Sequence, residues 1–199
     1  MPRPLLILAL LLPASTVGLS AQTDYYARIG AIGASNLLRD VIVSEITVRQ
    51  SIAPMVALGG SLPIGPGYRA GLEATFSSGG FHSEEGGVET DLGSLRTASL
   101  LLGLEGPIVA QVRWRAGLGA VRYWPSEETG IFQQGGTTRW LAGAGADYRR
   151  PALAQWDLMA SVRYDYHRFT TDELDRRGFS STQAVSRVSL SVGLARGLR

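Results

Sequence analysis

The segment from Thr138 to about Tyr166 restricts the possible fold more than any other stretch. In its first arm Trp140, Ala142, Ala144, Ala146 and Tyr148 occupy even positions. Arg139, Leu141, Gly143, Gly145, Asp147 and Arg149 occupy the odd ones. A strand sends alternate side chains to opposite faces. One face is therefore apolar with an aromatic at each end, and the other is polar or very small. A turn is expected around Arg150-Pro151-Ala152. In the second arm Trp156, Leu158, Ala160, Val162, Tyr164 and Tyr166 then share one face. Asp157, Met159, Ser161, Arg163, Asp165 and His167 share the other.

A soluble barrel keeps apolar residues inside. Here Gly and Ser are mixed with Arg and Asp on one face, as a narrow lumen requires. The opposite face has the aromatic ends that a lipid-facing band carries at its two interfaces. Trp140 to Tyr148, and Trp156 to Tyr164, are each eight residues apart. With a tilt near 40°, such a segment covers roughly 21 Å of the membrane normal, close to the expected band of about 25 Å. The expected fold class is all-β, an eight-stranded antiparallel up-and-down transmembrane β-barrel.

The chain has 199 residues, enough for one such domain. It opens Met1-Pro2-Arg3-Pro4, followed by an apolar run from Leu5 to Leu12 and small residues at Gly18, Ser20 and Ala21. That order reads as a secretory signal peptide over 1–21, with the barrel over 22–199. The apolar run is too short to cross a bilayer as a helix. There is no cysteine, which excludes disulfides and thiolate metal sites. The net charge of +2 leaves no nucleic-acid footprint.

Taken in order, strands are expected at about Asp24–Ala34, Ile52–Leu62, Tyr68–Ser77, Ser94–Leu104 and Ile108–Trp124. The two arms above and about Ala184–Leu198 complete eight. Tight turns are expected at Ile64–Gly67 and Glu105–Pro107. Asn36–Gln50 is read as loop or strand extension. Gly79–Gly93, Pro125–Thr137 and Thr170–Gln183 are read as long loops. Short turns alternating with long loops, around an even number of strands, are a pattern of outer-membrane barrels. Closure of the first strand on the last leaves no unpaired edge in lipid.

On this pattern the chain resembles the small eight-stranded outer-membrane barrels, the group of the OmpA transmembrane domain, OmpX and OmpW. The resemblance covers about Gln22 to Arg199 and implies residence in the bacterial outer membrane. It also implies contact with outer-membrane lipid, insertion by the barrel assembly machinery, and a monomer. The chain ends at Arg199 without the terminal aromatic residue usual in that group.

The lumen polar network is expected to contain Arg28, Arg69, Glu73, Arg113, Arg115, Asp147, Arg163, Asp165 and Arg187, with Arg139 and Asp157 on the same face. Tyr68, Phe76, Trp140, Tyr148, Trp156 and Tyr164 are assigned to the aromatic girdles. Eight strands leave a lumen little wider than its side chains. Buried charges need partners, so ion pairs filling the lumen are the preferred reading over a pore or ligand site. The function expected is a structural or surface-interaction role, with any external ligand meeting the long loops. The alternatives are a narrow small-solute channel and a lipid-modifying enzyme. His82-Ser83-Glu84 invites a hydrolase reading, but adjacent residues in a Gly-flanked loop lack the support that catalysis needs. No catalytic residue, cofactor or metal is therefore expected.

Overall fold

The computed structural model describes residues 23–41, 45–153, 155–176 and 183–196. The expected signal peptide and the last three residues of the chain lie outside them. The strands are β1 (Asp24–Ala34), β2 (Leu38–Val41), β3 (Glu45–Gln50), β4 (Ala53–Gly65), β5 (Tyr68–Glu85) and β6 (Val88–Val109). They continue as β7 (Val112–Pro125), β8 (Thr138–Leu153), β9 (Trp156–Phe169) and β10 (Gln183–Arg196). Eight of them form a closed antiparallel ring, β1-β4-β5-β6-β7-β8-β9-β10, in which β10 returns to β1. The short hairpin β2–β3 extends the sheet beyond the ring by pairing with β5.

The alternation read from sequence is what closes the ring. Along β1, Tyr26, Arg28 and Ile32 are buried while Tyr25 and Ile29 are exposed. All six assigned girdle residues, Tyr68, Phe76, Trp140, Tyr148, Trp156 and Tyr164, lie exposed on the outer face. Leu72, Leu102 and Leu118 are neighbours across β5, β6 and β7, midway between the girdles. Their exposure to the outside is the normal state of a lipid-facing surface.

Three expected boundaries are corrected. The Glu105–Pro107 turn does not exist: β6 runs on to Val109 and the chain turns at Ala110-Gln111. Likewise β8 passes through Arg150, Pro151 and Ala152 to Leu153. Both prolines sit beside register shifts, Pro107/Val109 and Pro151/Leu153. A residue without an N–H is tolerated at such irregularities. With the turn at Ala110-Gln111, Trp114 lies near the start of β7. Its ring packs edge-on to Tyr68 with centroids 6.5 Å apart.

The third correction concerns Gly79–Gly93, which is no loop. Strands β5 and β6 stay paired up to a two-residue turn at Gly86-Gly87. Those glycines have φ of +57° and +82°, the left-handed pair that suits a tight hairpin. Gly79 sits within the strand because a Cβ there would lie 2.8 Å from the Ala53 Cβ.

The start of β1, the end of β10 and three short turns lie at one end of the barrel. The other end holds the β2–β3 hairpin, the β5–β6 tip and two connections that pack inward. One connection carries the 3-10 turn Gly130–Phe132 and the other the helix α1 (Asp172–Arg176). Ile131, Phe132 and Leu174 join Leu37, Leu38, Val48, Phe81, Leu95, Val121, Tyr123, Leu141, Phe169 and Val185 in a buried apolar cluster. This cluster caps the polar interior.

Candidate functional site

The interior is built around Glu73 on β5. Arg28 of β1, Arg115 of β7 and Arg163 of β9 all contact its carboxylate directly. The Tyr26 hydroxyl donates to Glu73 at 2.8 Å and accepts from Arg115 at 3.0 Å. The guanidinium groups of Arg28 and Arg115 each lie 5.0 Å from the centre of the Tyr26 ring. Such stacking stabilises a cation on an aromatic face. Gly59 makes the room, since a Cβ there would overlap the Tyr26 ring. Three arginines on one carboxylate would repel one another without further acids. Asp147 supplies one, 2.9 Å from Arg115 Nε and 3.6 Å from Arg28. Asp165 supplies another, 2.8 Å from Arg163.

A second cluster lies toward the short-turn end. Glu105 accepts from Ser61 at 2.7 Å and lies 3.4 Å from Arg69 and 3.5 Å from Arg115. Asp24 lies 3.0 Å from Arg149 and 3.4 Å from Arg69. A small cavity of about 40 Å³ borders Tyr26, Glu73, Glu105 and Arg115. Toward the other end, Arg187 donates to Thr97 at 3.0 Å, and Thr97 bonds Ser77 at 2.7 Å. Tyr123 and His167 meet at 2.8 Å beneath the apolar cap.

Of the residues expected in the lumen, Arg28, Arg69, Glu73, Arg115, Asp147, Arg163 and Asp165 are brought into this chain of ion pairs. Arg187 joins a hydroxyl cluster instead. Arg113 sits at the short-turn mouth, where it donates to the Gly67 carbonyl at 2.7 Å. Arg139 anchors the other end by donating twice to the Thr170 carbonyl, at 3.0 and 2.8 Å. Asp157 is half-buried near the turn into β9. Sequence reasoning missed Glu105, Asp24 and Arg149. Glu105 was hidden by the false turn; in register it is an inward position of β6. With these included, Asp24, Glu73, Glu105, Asp147 and Asp165 stand beside Arg28, Arg69, Arg115, Arg149, Arg163 and Arg187. Counting Arg113, Arg139 and Asp157 toward its two ends as well, the inner face holds eight arginines against six acids, so a modest arginine excess remains.

On the outer rim, His82 is not joined to Ser83 or Glu84. Its Nε2 lies 2.9 Å from Ser51 Oγ. Arg49 lies 3.6 Å from Glu89 and 3.8 Å from Glu84, with all three side chains about half exposed.

No protein-family model and no curated protein matches the chain. Solved structures do match its fold. The attachment invasion locus protein Ail of Yersinia pestis, in complex with sucrose octasulfate, aligns with a TM-score of 0.52 at 15% identity, covering 87% of this chain and 99% of Ail. OprG from Pseudomonas aeruginosa aligns with a TM-score of 0.52 at 11% identity, covering 88% and 95%. The outer membrane protein AlkL, solved in lipid bilayers, gives 0.56 at 13% identity, covering 93% and 94%. The closed ring of eight antiparallel strands, apolar outside and charged within, is the fold of the small bacterial outer-membrane β-barrels.

Proposed function

We propose that this protein is a non-conducting barrel of the bacterial outer membrane that acts through its membrane-distal end. The carrying observation is the apolar cap, in which Phe81, Phe132 and Phe169 are almost wholly buried above the charged interior. An ion entering from that end meets packed side chains, and behind them arginines and carboxylates already paired. Dehydrating an ion across such a barrier costs several kcal/mol. The fold thus leaves the rim as the surface on which a partner is met. On this reading residues 1–21 are the export segment. The assembly machinery inserts the barrel as a monomer, and membrane lipid covers the band between the girdles.

Ail was solved with a sulfated heparin analogue. The present rim favours a different partner. Around Arg49 it carries Glu84, Glu89 and Asp91, so a polyanion meets carboxylates there. Planar-bilayer recording of the refolded full chain tests the reading. The expected record has no discrete, stable openings. Large steady single-channel steps would overturn the closed-lumen account and favour a channel.

A further inference from the structure

The rim contains three side-chain groups on neighbouring chain segments that sequence distance hides. Ser51 lies at the junction where β3 ends and β4 begins, outside regular strand. Its amide donates to the Gly80 carbonyl at 2.9 Å, which ties the junction to β5. His82 follows the register shift between Gly80 and His82 in the β5–β6 pair. Bulges of this kind re-aim side chains and terminate pairing. Phe81, next to it, is locked in the apolar cap. The imidazole is therefore carried by a strand whose adjoining residue is anchored, in place of the unconstrained loop expected from sequence.

The two ring nitrogens face different chemistry. Nε2 lies 2.9 Å from Ser51 Oγ. Nδ1 lies 3.9 Å from Asp91 Oδ1 and 3.9 Å from Glu89 Oε1. Asp91 is opposite His82 in the strand register, and its Oδ1 accepts from the Gly93 amide at 2.8 Å. Glu89 is shared with Arg49, so Asp91 is the better-placed acid. Carboxylates beside Nδ1 favour the tautomer with its proton there, which leaves the Nε2 lone pair toward the hydroxyl. A serine, an imidazole and an acid in that order are the parts of an activated hydroxyl nucleophile. Gly80 keeps the pair accessible. A Cβ at that position would sit 2.9 Å from His82 Nε2 and 3.4 Å from Ser51 Oγ. Beside Ser51, Ile52 is 78% exposed, and Pro54 and Val56 continue the exposed apolar line down β4 toward the lipid band.

We infer that Ser51 and His82, with Asp91 positioning the imidazole, form a hydrolytic centre for carboxylic esters of an amphiphile whose acyl chain lies along Ile52, Pro54 and Val56. Ser51 Oγ attacks the ester carbonyl carbon while its proton passes to His82 Nε2. The carbonyl–alkoxy bond then breaks, and Nε2 returns the proton to the departing alcohol. Water attacks the acyl-serine, giving its proton to Nε2. The acid leaves as the serine regains its hydrogen. One ester and one water thus become one acid and one alcohol. This activity is independent of lumen closure, so conductance and hydrolysis fail separately.

The full chain refolded in detergent micelles is treated with a fluorophosphonate probe and digested for mass spectrometry. It is also assayed on p-nitrophenyl esters of butyrate and dodecanoate. The expected result is a phosphonyl adduct on Ser51 and faster turnover of the dodecanoate ester. Ser51→Ala and His82→Ala should each lower turnover by about 100-fold or more, as loss of a nucleophile or general base does. Asp91→Asn should lower kcat more than it changes KM, as expected of a positioning residue. Ser83→Ala should leave turnover unchanged, and heat-modifiable gel migration confirms that each variant is folded. A wild-type protein with no adduct on Ser51, or equal turnover in Ser51→Ala, would overturn the assignment. The labelling is read on unmutated protein and does not depend on any variant folding.

Discussion

Glu73→Gln is expected to lower the stability of the folded barrel by about 3–5 kcal/mol, the cost of breaking a buried pair by removing one partner. The carboxylate is almost fully buried and, among the described residues, is the one acid touched by Arg28, Arg115 and Arg163 together. The amide has nearly the same shape, so no cavity forms and the loss is electrostatic. Asp147 and Asp165 remain, but each lies closest to one of the three arginines. The Tyr26 hydroxyl would also lose a charged acceptor. The control is Glu84→Gln on the rim, where Arg49 is 3.8 Å away and both side chains are half exposed. Exposed pairs of this kind are worth about 0–1 kcal/mol. Urea unfolding in micelles, followed by tryptophan fluorescence, measures both. Equal midpoints for the two variants would show that Glu73 does not hold the interior together.

Phe132→Ala should cost about 3–5 kcal/mol, the range for emptying a buried aromatic site. The ring lies 5.5 Å from Phe81 and 5.9 Å from Phe169, both in edge-to-face arrangement. Phe169 in turn packs on Tyr123 at 5.3 Å. Such pairs add to plain area burial. The 3-10 turn carrying Phe132 is held to the neighbouring connection by Thr171, whose hydroxyl donates to the Ile131 carbonyl at 2.5 Å. Removing the ring therefore loosens two connections at once. The effect should appear in the same unfolding assay and as faster proteolysis between Pro125 and Thr138. A loss below about 1 kcal/mol, typical of an exposed surface change, would mean that the cap is not packed.

The alternation of β5, β8 and β9 was legible in the sequence because one face of each strand is apolar over the stretch that meets lipid. That Tyr68, Phe76, Trp140, Tyr148, Trp156 and Tyr164 lie on the exposed face was legible for the same reason. Glu73 and its arginine partners followed as inward positions, although which arginine met which acid depends on the stagger of the ring and is not local information. The false turns at Pro107 and Pro151 have one cause. Proline and glycine mark turns and bulges alike, and only pairing with the next strand separates the two. The same ambiguity made Gly79–Gly93 look like a loop. The cap was not legible at all. Phe81, Phe132, Phe169 and Leu174 come from four separate segments with no common period, so their convergence is tertiary. The pairing of Ser51 with His82 was not legible either, because Ser83 adjoins His82 in sequence while its spatial neighbour Ser51 is 31 residues away.

The barrel is expected to span the outer membrane with the β5–β6 tip outside and the short turns on the periplasmic side. The chain has no cysteine, so single substitutions report position without background. Val88→Cys marks the tip and Gln111→Cys marks a short turn; both residues are exposed. Intact Gram-negative cells producing each variant are treated with a maleimide–polyethylene glycol too large to pass through porins. Val88→Cys should be modified in intact cells, and Gln111→Cys only after the outer membrane is permeabilised. Modification of Gln111→Cys in intact cells with Val88→Cys protected, or recovery of either variant in the soluble periplasm, would contradict this placement.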